Sequence, residues 1–221
     1  MIQGFWDIMI GLVLGLLTSF VSWAILFHYL VPKIGFSRSL AKVPRRKTQN
    51  DKAPYRYIFK IENSGKRNII DIELTARLSV KGLKSATKWN RLDIPLESGT
   101  ASYRIPQLLP ATKGKSGRRP EIFLTPNSSD WLREWTVFPE EIRRKAADKS
   151  LLVEDLLKLG NEAKLEIQAY CYDSFSGSKK LYVSPPYTAD AIIAGKFDPT
   201  SLEVIPAAPN SALHEAEPNS R

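Results

Sequence analysis

The rhythm of apolar residues divides this chain into distinct regimes. From Ile8 to Val31 it contains no Asp, Glu, Lys or Arg. As a helix rising ~1.5 Å per residue, that run would reach about 36 Å, enough to cross a ~30 Å hydrocarbon core. Beyond it the pattern switches to a period of two, the mark of half-buried strands. Tyr55, Tyr57, Phe59 and Ile61 alternate with mostly polar neighbours, and Asn63-Ser64-Gly65-Lys66 supplies turn chemistry. Ile70, Ile72, Leu74, Ala76, Leu78 and Val80 then alternate with Asp71, Glu73, Thr75, Arg77 and Ser79. The two runs predict an antiparallel pair with one face on a core.

Weaker strand patterns follow at 92–96, 103–108 and 121–125, with a Lys/Arg/Gly/Ser loop from Ala111 to Pro120. Ser128-Ser129-Asp130 can cap a short helix reaching Trp135. A second helix is expected from Pro139, with Glu140 and Glu141 early and Arg143, Arg144 and Lys145 late, as the helix dipole prefers. Ser150 to Leu159 reads as a further short helix ended by Gly160-Asn161. Strand character returns at Lys164 to Asp173, turns at Ser174 to Ser178, and comes back from Lys180 to Ser184. After Phe197 the Pro-rich composition predicts a disordered tail. The expected organisation is a membrane segment over 1–31, a basic juxtamembrane linker over 32–52, a β domain over 53–198 and a tail over 199–221. The fold class is mainly β: a sandwich of about seven or more strands with short helices inserted, preceded by one transmembrane helix.

Charge orients that arrangement. The net charge of +9 suits anionic partners, nucleic acid or lipid. Its density just after the apolar run favours the membrane and argues against nucleic acid. Lys33, Arg38, Lys42, Arg45, Arg46, Lys47 and Lys52 crowd there with only Asp51 among them, and no base precedes the run. By the positive-inside rule the short N-terminus lies outside and Lys33 onward is cytoplasmic, at the cell membrane. A cleaved signal peptide would want a basic start, and Met1 to Asp7 contains an acid and no base. On the cytoplasmic side the Asn127-Ser128-Ser129 glycosylation pattern is a chance match. Gly11, Gly15 and Ser19 share one helical face, where missing side-chain bulk lets two helices approach.

Chemistry-bearing residues are sparse. Cys171 is the only cysteine, which excludes an intrachain disulfide and a Cys-based zinc site. His28 and His214 are the only histidines, at the membrane and in the tail. Gly114-Lys115-Ser116 lacks the earlier glycine and the strand of a phosphate loop, since Leu109 stands where that glycine belongs. No catalytic, cofactor or metal residue is assigned, and a non-enzymatic role is expected.

Several motifs, in order, resemble the cytoplasmic half of the inward-rectifier potassium channels. The apolar run ends His28-Tyr29-Leu30-Val31-Pro32-Lys33, similar to that family's basic Pro-Lys element. Tyr57 to Asn68 is similar to its first long strand and Asn-x-Arg-x-Asn turn. Tyr187-Thr188-Ala189-Asp190-Ala191-Ile192 with Gly195 and Phe197 resembles its closing element. The resemblance implies an immunoglobulin-like sandwich, assembly as a homo-oligomer with a tetramer favoured, and contact of Lys33 with anionic lipid headgroups. Arg38, Lys42, Arg45, Arg46 and Lys47 extend that basic surface; setting topology is the other role open to them. The chain departs from the family in having one span and no Thr-x-Gly-Tyr-Gly or Gly-Phe-Gly filter, so alone it is not expected to be a potassium-selective channel. The leading expectation is a membrane-anchored, self-associating interaction or sensing module. The alternatives are an oligomeric single-span pore subunit and an accessory subunit of a separate channel.

Overall fold

A computed structural model describes residues 2–25, 33–45, 54–97, 101–111, 119–127, 138–173 and 179–207. The first element is α1 (Ile2–Ala24), which carries no charged residue after Asp7. Its Trp6–Ala24 stretch is long and apolar enough to cross a membrane, and none of it is buried against the rest of the chain.

The remainder is mainly β, as the alternation predicts. One sheet is built on β3 (Tyr55–Asn63). Along one edge of β3 run β1 (Ile34–Phe36) and β2 (Leu40–Pro44), end to end and antiparallel to it. Phe36 lies opposite Ile61 and Ala41 opposite Ile58. Five steps of chain therefore face three, and the surplus bulges at Ser37-Arg38-Ser39. The other edge of β3 takes β7 (Glu121–Leu124). Parallel to β2 lies β10 (Ile192–Phe197), and β11 (Val204–Pro206) closes that side.

The second sheet is built on β4 (Ile69–Lys81), which pairs along its whole length with β8 (Glu162–Asp173). Opposite β8, β5 (Trp89–Ile94) and β6 (Ser102–Leu108) lie end to end on β4, and β9 (Lys179–Val183) flanks β8. A bulge near Asp71, whose φ is +48°, shifts the β4–β8 register by one residue. Two short helices, α2 (Glu140–Ala147) and α3 (Val153–Leu157), precede β8. Gly160 turns the chain from α3 into β8 with φ +63°; a Cβ there would stand 2.1 Å from the Lys81 carbonyl oxygen, so only glycine fits.

The inner faces of both sheets meet in one core. Tyr57, Phe59 and Ile61 face Leu74, Ala76, Leu78, Leu165, Ile167 and Ala169, all essentially without exposure. Cys171 is buried among them as a small apolar side chain. Ile142, Val153 and Leu156 plug the same core from the helices.

The expected boundaries need correction at both ends of the β domain. The basic stretch 32–52 is not a linker throughout, because β1 and β2 lie within it, with Leu40 and Ala41 fully buried. The tail expected from 199 does not begin there either: β11 pairs with β10 and helps cover a second apolar cluster of Ala41, Ile58 and Phe197. That cover explains why Ile58 and Lys60, on the outward face of β3, are buried. Lys60 is 3% exposed, donates to the Asp198 carbonyl at 2.8 Å, and pairs with Glu121 at 3.4 Å. The helix expected from Ser128 to Trp135 and the turn 174–178 lie outside the described residues.

The two sheets are tied at Tyr187. Its backbone exchanges both hydrogen bonds with Leu165 of β8, at 2.7 and 3.0 Å. Its hydroxyl donates to the carbonyl of Ser37, at the β1–β2 bulge, at 2.6 Å. Tyr187 and Ser37 are both fully buried, so no water can replace that bond. Tyr187→Phe is expected to lower unfolding stability by about 1–2 kcal/mol, measured by denaturant unfolding; an unchanged midpoint would show the tie to be dispensable.

Candidate functional site

The suspected lipid-contact residues part company in the structure. Lys33 and Arg38 are exposed, and the Lys33 carbonyl anchors the β3–β4 turn by accepting the Ser64 amide at 2.8 Å. Arg45 follows β2, with its amide donating to Pro54. Arg46 and Lys47 lie outside the described residues. Lys42 is instead drawn into the domain. Its ammonium pairs with Glu154 of α3 at 2.5 Å and sits 4.2 Å from the Tyr55 ring centroid. The Tyr57 hydroxyl donates to the other oxygen of Glu154. Burial first, then the hydrogen bond and charge of Glu154, push the Tyr57 phenol well above its ordinary range. A lysine that reads as part of a solvated basic run is thus the hinge pin between β2 and α3.

Helix α1 presents Gly11 and Gly15 with nothing within 4 Å of where a Cβ would stand, so that face is open. Thr18, beside Ser19, returns its hydroxyl to the Leu14 and Gly15 carbonyls. Asn127, from the glycosylation pattern, is engaged internally: its side-chain amide exchanges two hydrogen bonds with the backbone of Leu151. Among the described residues no group of three His, Cys, Asp or Glu side chains could hold a metal ion. His28 and His214 lie outside them.

A concavity of about 350 Å³ that the sequence pattern did not disclose lies on the outer face of the second sheet. Strand register assembles it rung by rung. Trp89 of β5 is opposite Lys81 of β4; Arg91, Ser79 and Lys164 form the next rung across β5, β4 and β8; Asp93, Arg77 and Glu166 form the one after. Ser79 is short, so the long neighbours on either side leave a depression with its hydroxyl at the floor. The carboxylates hold two of the cations. Arg77 donates through Nε to Asp93 at 3.0 Å, and Lys164 pairs with Glu166 at 3.0 Å. Arg91 pairs with no described residue. Trp89 is 40% exposed, with the Lys81 and Lys164 ammonium groups 5.9 and 5.8 Å from its ring centroid. The one sequence signal for this site is a tryptophan on the outward phase of a strand, where the sandwich core has no use for it.

No protein-family model matches this chain, and no curated protein does.

The Lys42–Glu154–Tyr57 cluster has a measurable pH signature. Tyr57 stays protonated in the folded chain past the pH near 10 at which a free phenol ionises. Above that pH the unfolded chain binds fewer protons, so stability falls as pH rises. Tyr57→Phe is expected to cost about 1–3 kcal/mol at neutral pH and to flatten the alkaline loss. Denaturant unfolding from neutral pH to above pH 10 checks both, and an equally steep loss in the variant would assign it elsewhere.

Proposed function

We propose that this chain is a single-pass membrane protein whose β-sandwich is a non-enzymatic interaction module held at the cytoplasmic face. The observation that carries the reading is α1. Its 19-residue apolar stretch has mean hydropathy 1.8 and is wholly unburied by the rest of the chain. An apolar surface of that extent needs a non-aqueous neighbour. The bases Lys33, Arg38 and Arg45, with Arg46 and Lys47, follow it at once and favour retention on the inner side. Because β1 starts at Ile34, the sandwich begins within a few residues of the span's expected end, which keeps it near the inner leaflet. Anionic headgroups at that distance are natural contacts for Lys33 and Arg38, whose side chains are exposed; Lys42 is committed to Glu154.

Self-association is the second part of the proposal. The open Gly11, Gly15 and Ser19 face allows close helix approach, and the resemblance to inward-rectifier cytoplasmic domains favours a tetramer. A pore lined by these helices draws less support, since the Thr18 hydroxyl is spent on its own backbone.

Protease added to sealed, right-side-out cells is expected to leave the sandwich intact and to digest it once the membrane is opened. Digestion in sealed cells reverses the topology. Purified in mild detergent, the chain is expected to run as a homo-oligomer by light scattering, and Gly15→Leu to shift it toward smaller species; a wild-type monomer in several detergents sinks the assembly proposal.

A further inference from the structure

The outer-face concavity has a composition that a solvated strand face does not require. Two long cations, Arg91 and Lys164, stand two strands apart on either side of Ser79. Strand spacing puts their Cα atoms roughly 10 Å apart, a separation that suits a group gripped between them. Arg77, Arg91 and Lys164 are three cations against Asp93 and Glu166, and both carboxylates already serve as props for Arg77 and Lys164. Of these three, Arg91 is the one that pairs with no carboxylate among the described residues. Arg77 uses Nε on Asp93, which orients the guanidinium and leaves its terminal nitrogens for another acceptor. Ser79 contributes a hydroxyl from the floor. These donors suit a phosphate or a carboxylate rather than a metal ion.

Trp89 adds the second requirement. Its half-exposed indole borders the same concavity, with the Lys81 and Lys164 ammonium groups reaching over the ring on long side chains that can swing aside, and the rest of its apolar surface meets water. A flat ring stacking there would remove that surface from water, and base–aromatic stacking is strong enough to matter. The volume of about 350 Å³ lies at the lower end of ligand sites, which suits a mononucleotide-sized molecule.

We propose that this concavity binds a small organic anion carrying an aromatic ring, a nucleoside monophosphate being the simplest natural type. Arg91, Arg77 and Ser79 take the anionic group, Lys164 closes the side, and Trp89 stacks on the ring. The site is independent of the membrane reading, because every residue in it belongs to β4, β5 and β8.

The test is calorimetric titration of the full chain in detergent micelles with adenosine monophosphate, adenosine and inorganic phosphate as probes. Adenosine monophosphate is expected to bind saturably at one site per chain. Adenosine and phosphate are each expected to bind at least about tenfold more weakly, since each keeps only one of the two contacts. Arg91→Ala and Trp89→Leu should each weaken the nucleotide about tenfold or more, Arg91→Lys should recover part of the loss, and added salt should weaken the wild type. Arg91→Glu, a change at an exposed position, provides a second variant should Trp89→Leu fail to fold. The proposal is overturned by absence of nucleotide binding at millimolar concentration, or by phosphate binding as tightly as the nucleotide. Unchanged affinity in folded Arg91→Glu overturns it too, as does a single-stranded oligonucleotide binding over a hundredfold tighter, which would make the face a nucleic-acid surface.

Discussion

The hydrogen bond from the Tyr187 hydroxyl to the Ser37 carbonyl is the constraint on which the two sheets depend. Its backbone belongs to the second sheet through Leu165, and its hydroxyl reaches the first sheet at the β1–β2 bulge. Five residues later the chain enters β10, whose parallel pairing with β2 starts at Leu40, opposite Ile192. The position of the incoming N-terminal strands, the crossing between sheets and the register of the closing strand are thus set around the same pair of buried residues. Burial makes the arrangement strict, because a carbonyl or hydroxyl left unpaired there has no water to turn to. The bulge has a second lock, in which Ser37 donates its amide to the Lys60 carbonyl and accepts the Lys60 amide on its hydroxyl.

This explains which parts of the fold were legible in the sequence. The runs Tyr55 to Glu62, Ile70 to Val80 and Lys164 to Asp173 are long enough for alternation to declare itself, and they became β3, β4 and β8. Strands β1 and β2 are only three and five residues long and sit among cations that dominate the eye. Their stability comes from partners at Ile61, Ile58 and Ile192, far away in sequence, so no local rule exposes them. Strand β11 was hidden for a related reason: it ends on Pro206 and exists because Gly195 lets its backbone approach closely, with Ile205 oxygen 2.1 Å from where a Cβ would stand. The turn asparagine Asn63 was legible as turn chemistry. Its fuller role, bonding the carbonyls of Arg67 and Leu108 while its own carbonyl accepts from Ala111, needed the fold.

Charges were the least readable feature. Sequence pattern assigns a lysine on a polar phase to solvent, yet Lys60 is buried and Lys42 half-buried, and both are paired, Lys42 by α3 and Lys60 by the segment after β10. The outer-face concavity escaped for the complementary reason. Its residues are ordinary outward positions on three strands, with Trp89 and Lys164 remote in sequence, and only cross-strand register brings them onto neighbouring rungs. Periodicity reports which face a side chain takes, whereas a site depends on which rung it shares.

The same contacts join the end of the chain nearest the apolar helix to that concavity. Lys42 of β2 holds Glu154, and Glu154 lies in α3. The helix is fixed at its start by Asp155, which accepts the Leu152 amide at 3.0 Å and also pairs with Lys145 of α2. From its far end the chain turns through Gly160, packed on the Lys81 carbonyl, and the Asn161 amide donates to that same oxygen at 2.9 Å. Strand β8 then begins and carries Lys164 and Glu166 into the concavity, while Lys81 leans over Trp89. Each link is a hydrogen bond, an ion pair or a close backbone approach, so packing is continuous from β2 to the rim of the concavity. Lys42, the first member of that series, is half-buried against Glu154, so its place in the fold is set by its partner on α3 and not by the run of bases around it.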